Sequence, residues 1–396
     1  MQVRNYDDFL TAYIDYAGFS EAPRRMHFWS GVAAVAGALR RKVWLSMGYY
    51  RWCVNHYIIF VAPPGIVSKS TTVAIAMDIL RKVPGIKFGP DIVTWPALVS
   101  AFAAATESFE VDGDFHTQCA LTLESSEFGN LVNPQDREMI DLLVTLWDSK
   151  QGGFAKVTKG SGSDTVENPW INLVACTTPA WIAGNFPEYI IGGGFTSRCL
   201  FVYTDQKEKL VAYPVYHIPA GMQETQAKLV EDLSHIAEHL NGPFKLTERA
   251  RAWGEAWYQH HYEHPPKHLQ DERFGGYLAR KQTHLHKLAM VLAASGGDDL
   301  VLTEDHLALA NKMISDLELD MPKVFSRIGK SEDSVQADRF VEFVCKNSPC
   351  TYMAAYAYIH SAFPFVKDFE DIVKGALAAG LVRMDASTKM LLGGKG

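Results

Sequence analysis

The most concentrated chemistry in the chain lies in 62-APPGIVSKSTT-72. Pro64, Gly65, Ile66, Val67 and Ser68 form a loop between the apolar run 57-YIIFV-61 and a helical run that starts at Lys69. Such a turn directs backbone N–H groups into a concave nest, and the positive end of the following helix adds to its attraction for phosphate. Lys69 is placed to reach the β- and γ-phosphates of a nucleotide. Ser70 is placed to offer its hydroxyl to Mg²⁺, with Thr71 beside it. The spacing departs from the strict GxxxxGK[ST] form, because Pro63 and Ser68 stand at its two glycine positions. Glycine before the lysine normally lets the backbone approach phosphate closely, which serine does less readily. An ordinary Pro/Gly turn ahead of a Ser/Thr-rich helix start would give the same letters.

Acids follow at a matching place. The apolar run 119-CALTLESSEF-128 ends in Glu124, with Glu127 three residues on. A carboxylate at the carboxyl edge of a strand beside the phosphate-loop strand can hold the metal, and a second can polarise the attacking water. A third apolar run ends in Thr177 and Thr178, where a hydroxyl can sense the γ-phosphate or cap the next helix. In 192-GGGFTSRCLFVY-203, Arg198 follows three glycines, as an arginine finger reaching a neighbouring subunit's nucleotide would. Pairing with an acid of the same chain is the plain alternative.

Contact with nucleic acid has a candidate in 147-WDSKQGGFAKVTKGSGSDTVENPW-170, read as a hairpin with a Gly/Ser-rich tip. Lys150, Lys156 and Lys159 would follow a phosphate backbone and Phe154 would stack on a base. His260, His261, His264 and His268 lack the company a metal site needs and read as surface or helix-packing side chains.

These residues need a particular scaffold. Short apolar runs alternate with helical patterns from 57 to 203, which predicts a parallel α/β sheet covered on both faces. Residues 1–55 read as a helical extension ending in a strand pair, 56–215 as the α/β core, and 216–330 as a purely helical lid. Residues 335–396 read as three short helices and a strand pair, the plan of a winged helix. Asp112-Gly113 predicts a tight hairpin inside the core. The 396 residues carry a net charge of −7, so any nucleic-acid contact must come from a local basic surface. A hydrophobic content of 47% excludes a disordered chain. Six scattered cysteines without a CxxC pair predict reduced thiols. No leader or membrane-spanning run is expected, which predicts a cytoplasmic protein.

Taken in order, WSGVAAVAGALRRKVWL, APPGIVSKSTT, LESSEFGNLV, ACTTPAWIAGNFP and GGGFTSRCLFVY resemble the P-loop (AAA+/RecA-like) helicase domain of phage replication proteins and primase–helicases, over roughly residues 20–300. The resemblance implies ATP and Mg²⁺ as cofactors and a hexameric ring moving on single-stranded DNA in the host cytoplasm. Other replication proteins are implied as partners. It also implies that Arg280 or Lys287 in the lid touches nucleotide. A helicase loader or ATP switch with weak hydrolysis is the alternative expectation.

Overall fold

The computed structural model describes residues 4–91, 94–158, 162–192, 194–325, 332–360, 363 and 365–394, with backbone alone at 153–158, 162–165, 188–189 and 332–335. The chain divides into two compact units, Met1–Ser326 and Arg327–Gly396.

The first unit is built on a five-stranded sheet. Across it run Thr106–Val111, Asp114–Ser125, Pro169–Thr177, Tyr57–Val61 and Cys199–Tyr203. The last four are mutually parallel and the first is antiparallel to its neighbour. Every residue of Pro169–Thr177 and of Tyr57–Val61 is buried, as expected for strands covered on both faces. Burial of this kind gives the nine-residue Pro169–Thr177 strand a central place. It therefore lies between the Tyr57–Val61 strand and the strand carrying Glu124, which the sequence pattern had placed side by side.

The Asp112-Gly113 hairpin is present, with Val111 opposite Asp114. Both turn residues have positive φ, 53° and 88°, the conformation a two-residue turn of matching twist requires. Helix Arg137–Trp147 starts where Asp136 accepts a hydrogen bond from the Met139 amide at 3.1 Å. Helix Arg24–Leu39 is buried almost all round. Its Gly37 allows close approach to helix Lys69–Arg81: a Cβ there would lie 2.5 Å from Leu80 Cδ2.

The stretch 216–330 is not purely helical. Gly242–Leu246 and Val301–Leu302 are strands, and together with Val43–Ser46 and Arg51–Cys53 they form a second sheet. Gly242 and Pro243 end the preceding helical pattern and leave an edge that pairs with Val43–Leu45. The first and third sequence segments thus share a sheet within one compact unit. Among the described residues no helix is long and apolar enough to cross a membrane.

The second unit contains helices Glu332–Lys346, Tyr352–Ile359 and Val366–Ala378 and the antiparallel pair Val382–Met384 and Leu391–Gly393. Phe340, Val344, Ile359, Phe369, Val382 and Leu391 belong to its own buried core. Of the six free cysteines, Cys345 is exposed and the rest are buried.

Candidate functional site

A cleft of about 400 Å³ opens at the carboxyl edge of the parallel strands. Three strand ends supply its walls: Pro64 and Val67–Ser70, then Ser126–Gly129, then Cys176–Thr178 with Trp181. The chain leaves Tyr57–Val61 toward one side of the sheet and leaves Pro169–Thr177 toward the other. Crevices at such a reversal are where open α/β sheets bind ligands. The volume falls in the range of small-molecule sites, ~300–1,000 Å³.

The loop turns at Gly65, whose φ is +71°. Ser68 has φ −80° and ψ 68°, and the Lys69 amide donates to the Val67 carbonyl at 2.9 Å. This is an inverse γ-turn, and it directs the Lys69 amide back into the loop. Helix Lys69–Arg81 follows, with the Thr72 amide donating to the Ser68 carbonyl at 3.0 Å as its first bond. The amides of Ser70 and Thr71, in the first turn, have no intrahelical acceptor to reach.

Lys69 Nζ donates to the Ala62 carbonyl at 2.9 Å and forms no ion pair among the described residues. Burial lowers its pKa, with Cys176 opposing. Cys176 is itself pushed up to about 12 by burial, with Lys69 opposing and Glu124 reinforcing. An ammonium half-removed from water and satisfied by one carbonyl is poised to accept an anionic partner.

Of the other expected residues, Ser70 and Glu127 are exposed on the cleft wall, where their hydroxyl and carboxylate are available to a cation. Thr178 also lines it, but its hydroxyl accepts from the Trp181 amide at 3.1 Å and caps helix Pro179–Asn185. Glu124 lies outside the lining and forms an ion pair with Arg81 at 2.7 Å. Gly65, Ile66 and Thr71 also lie outside it.

Trp181 is one of the wall residues that the sequence did not single out. Its ring covers Gly129, where a Cβ would lie 2.7 Å from Cζ2, and meets Phe128 edge-on at 5.5 Å. The available signal was Thr178-Pro-Ala-Trp, a capped helix start that fixes the tryptophan three residues past the cap.

A different group of expected residues gathers at the opposite edge of the sheet. Arg198 does not project from its loop. It is 5% exposed, its Nη2 donates to both oxygens of Asp148 at 2.9 Å, and its Nη1 donates to the Gly194 carbonyl at 2.6 Å. Lys287 is 1% exposed, with Nζ donating to Asn55 Oδ1 at 2.8 Å and the Trp147 carbonyl at 3.0 Å. Burial pushes its pKa down to about 7. Arg280 is half-buried, and its Nη1 donates to the Gly276 carbonyl at 3.1 Å. Asn55 precedes the Tyr57–Val61 strand and Ala62 follows it, so Arg280 and Lys287 lie on the order of 20 Å from the Lys69 cleft. They cannot share a nucleotide with Lys69 of the same chain in this arrangement.

Lys150 is exposed at that opposite edge. The hairpin exists as Gly153–Thr158 paired with Gly162–Glu167, with Phe154 and Lys156 on its first strand. Lys159 lies outside the described residues. His260 stacks on His264, and His261 stacks on Trp257 at 5.0 Å with Nε2 on the Leu278 carbonyl.

No protein-family model matches this chain, and no curated protein matches it either.

Proposed function

We propose that the Lys69 cleft binds a nucleoside triphosphate with Mg²⁺, and that the protein is an ATP-dependent machine acting on single-stranded DNA, in the manner of a phage-type replicative helicase ring. One observation carries the reading. Three adjacent strand ends of a parallel sheet converge on a single cleft, where Lys69, at the start of a helix, carries an ammonium with no carboxylate partner among the described residues. Lys69 and the first-turn amide of Ser70 would hold phosphate, while Ser70 and Glu127 would hold the cation. The bound metal would supply charge neutralisation at the transferring phosphoryl group. Ring assembly would place these edges against neighbouring copies.

Particular contacts favour a second reading, a slow ATP switch or loader. Glu124 is engaged by Arg81, Arg198 by Asp148, and the Lys69 amide by Val67. A motor would have to release at least the first two, whereas a switch needs only binding.

Thermal unfolding with and without Mg·ATP tests the common core of both readings. Saturation at about 100 times Kd should stabilise the wild-type protein by about 2.7 kcal/mol, and Lys69→Ala should lose that shift while keeping its unliganded Tm. An equal ATP shift in both proteins would remove Lys69 from the site, and no shift in either would remove the nucleotide. ATP turnover with and without single-stranded DNA separates the two readings. Stimulation by DNA supports the motor, and binding with little turnover supports the switch.

A further inference from the structure

At the sheet edge away from Lys69 lies a larger cleft, about 650 Å³, whose walls include Tyr50, Arg51, Trp52, Lys150 and Arg280. We propose that it holds a segment of single-stranded nucleic acid, with phosphates on Arg51, Lys150 and Arg280 and bases on the exposed tyrosines around its mouth. This gives the DNA half of the proposed function a location and makes no use of the Lys69 cleft.

Charge points the same way. The protein carries 45 acidic and 38 basic side chains, yet the one carboxylate in this wall, Asp148, is taken by Arg198. Arg51, Lys150 and Arg280 form no ion pair among the described residues. Three uncompensated cations in a chain of net charge −7 are a local reversal that attracts a polyanion. Two of them are held in place. The Arg51 guanidinium lies 4.5 Å from the Trp44 ring centroid, and Arg280 is tethered to the Gly276 carbonyl. Planar guanidiniums fixed in this way suit phosphate.

The aromatic side chains identify the polyanion. Tyr49 is fully exposed, and Tyr50 and Tyr262 are more than half exposed. Tyr50 lies 6.0 Å from Trp52, and Tyr258 lies 4.8 Å from Tyr262. Of these tyrosines, Tyr49 and Tyr50 line the cleft itself. Exposed apolar groups gathered into one patch mark contact sites. Rings interleaved with cations form the platform on which unpaired bases stack, since every base has a π-face. Duplex presents no such face. Beneath the platform, the buried Trp147 Nε1 has no hydrogen-bond partner, leaving a donor in the wall.

The test is fluorescence anisotropy of the full chain, without ATP, using labelled oligothymidylate and oligouridylate of about twenty nucleotides. Tyr49→Ala, Tyr50→Ala and Arg280→Ala should each weaken binding about tenfold. Arg280→Ala should also reduce the salt slope by about one. Lys69→Ala should bind as the wild type does, so failure of the ATP reading leaves this result standing. Tighter binding of one oligomer identifies DNA or RNA as the natural strand. Tyr49 is wholly in solvent, so its loss cannot act through folding. Unchanged affinity in all three variants overturns the proposal. So does a wild-type protein that ignores both oligomers, that prefers duplex, or that binds thymidine monophosphate as tightly as the strand.

Discussion

The pair Arg198–Asp148 decides between two uses of one arginine, and its energetics follow from exposure. Arg198 Nε and Nη2 donate to Asp148 Oδ1 at 3.1 and 2.9 Å, Nη2 also reaches Oδ2 at 2.9 Å, and the guanidinium faces the Trp147 ring at 5.6 Å. The arginine side chain is 6% exposed and the aspartate 31%. Removing one partner of a fully buried pair costs about 3–5 kcal/mol, because the remaining charge stays out of water. In Asp148→Ala that remaining charge is Arg198, with Arg280 and Lys287 nearby and no other carboxylate in the wall. Partial solvent access at Asp148 lowers the expected loss to ~2–4 kcal/mol. In Arg198→Ala the remaining carboxylate can rehydrate and one cation leaves a crowded group, so ~1–3 kcal/mol is expected. The double variant should then lose less than the sum, with a coupling of ~1–3 kcal/mol. Urea unfolding followed by tryptophan emission reads this, since all nine tryptophans lie in the first unit. The refuting result is an Arg198→Ala protein with a wild-type midpoint and no ATP turnover. Arg198 would then be a finger, free in solution to reach a neighbouring copy.

Three further outcomes follow from side chains already placed. Gly129→Ala drives a methyl group into the Trp181 ring and should lower stability by ~1–3 kcal/mol and weaken the ATP-induced thermal shift; an unchanged Tm and shift would mean that the ring is not fixed there. Lys287 titrates near 7 when folded against 10.5 as its ordinary value, so folding is weakened as pH falls from about 10.5 through 7 and no further below that. Lys287→Met should remove up to about 5 kcal/mol of that dependence, seen as a smaller difference between urea midpoints at alkaline and neutral pH, and an unchanged difference would place the ammonium in contact with water. His27 is buried beside Ser20 Oγ at 2.7 Å and its pKa is lowered to about 4 by burial, so the stability of its neutral form is present above pH 6.5 and lost on acidification toward 4. His27→Gln should flatten the acid limb by up to about 3 kcal/mol, and an identical limb in both proteins would refute its burial.

What the sequence made legible was local. Alternating apolar runs, the Asp-Gly turn and the capped helix starts are written in adjacent residues, and the strand ends that meet at Lys69 follow from them. The strands Gly242–Leu246 and Val301–Leu302 escaped because five and two residues are too few for a period to declare itself, and because the first pairs with the distant Val43–Leu45 and the second only with the first. Side-chain partners were hidden for a related reason. An arginine after a glycine loop at the start of a strand satisfies a finger and a buried pair equally, and the difference is made by Asp148, fifty residues earlier. That aspartate ends helix Arg137–Trp147, and only the sheet order brings the end of that helix to the start of Cys199–Tyr203. Lys287 is a stronger case, since its partner Asn55 is 232 residues away. A lysine in a helical pattern reads as solvent-facing until the helix is known to be buried almost all round. Residue type and spacing therefore locate chemistry where the reacting groups share a loop or a strand edge. They cannot tell a free charge from a neutralised one when the counter-charge comes from elsewhere in the chain, and in this protein that distinction separates the two proposed readings.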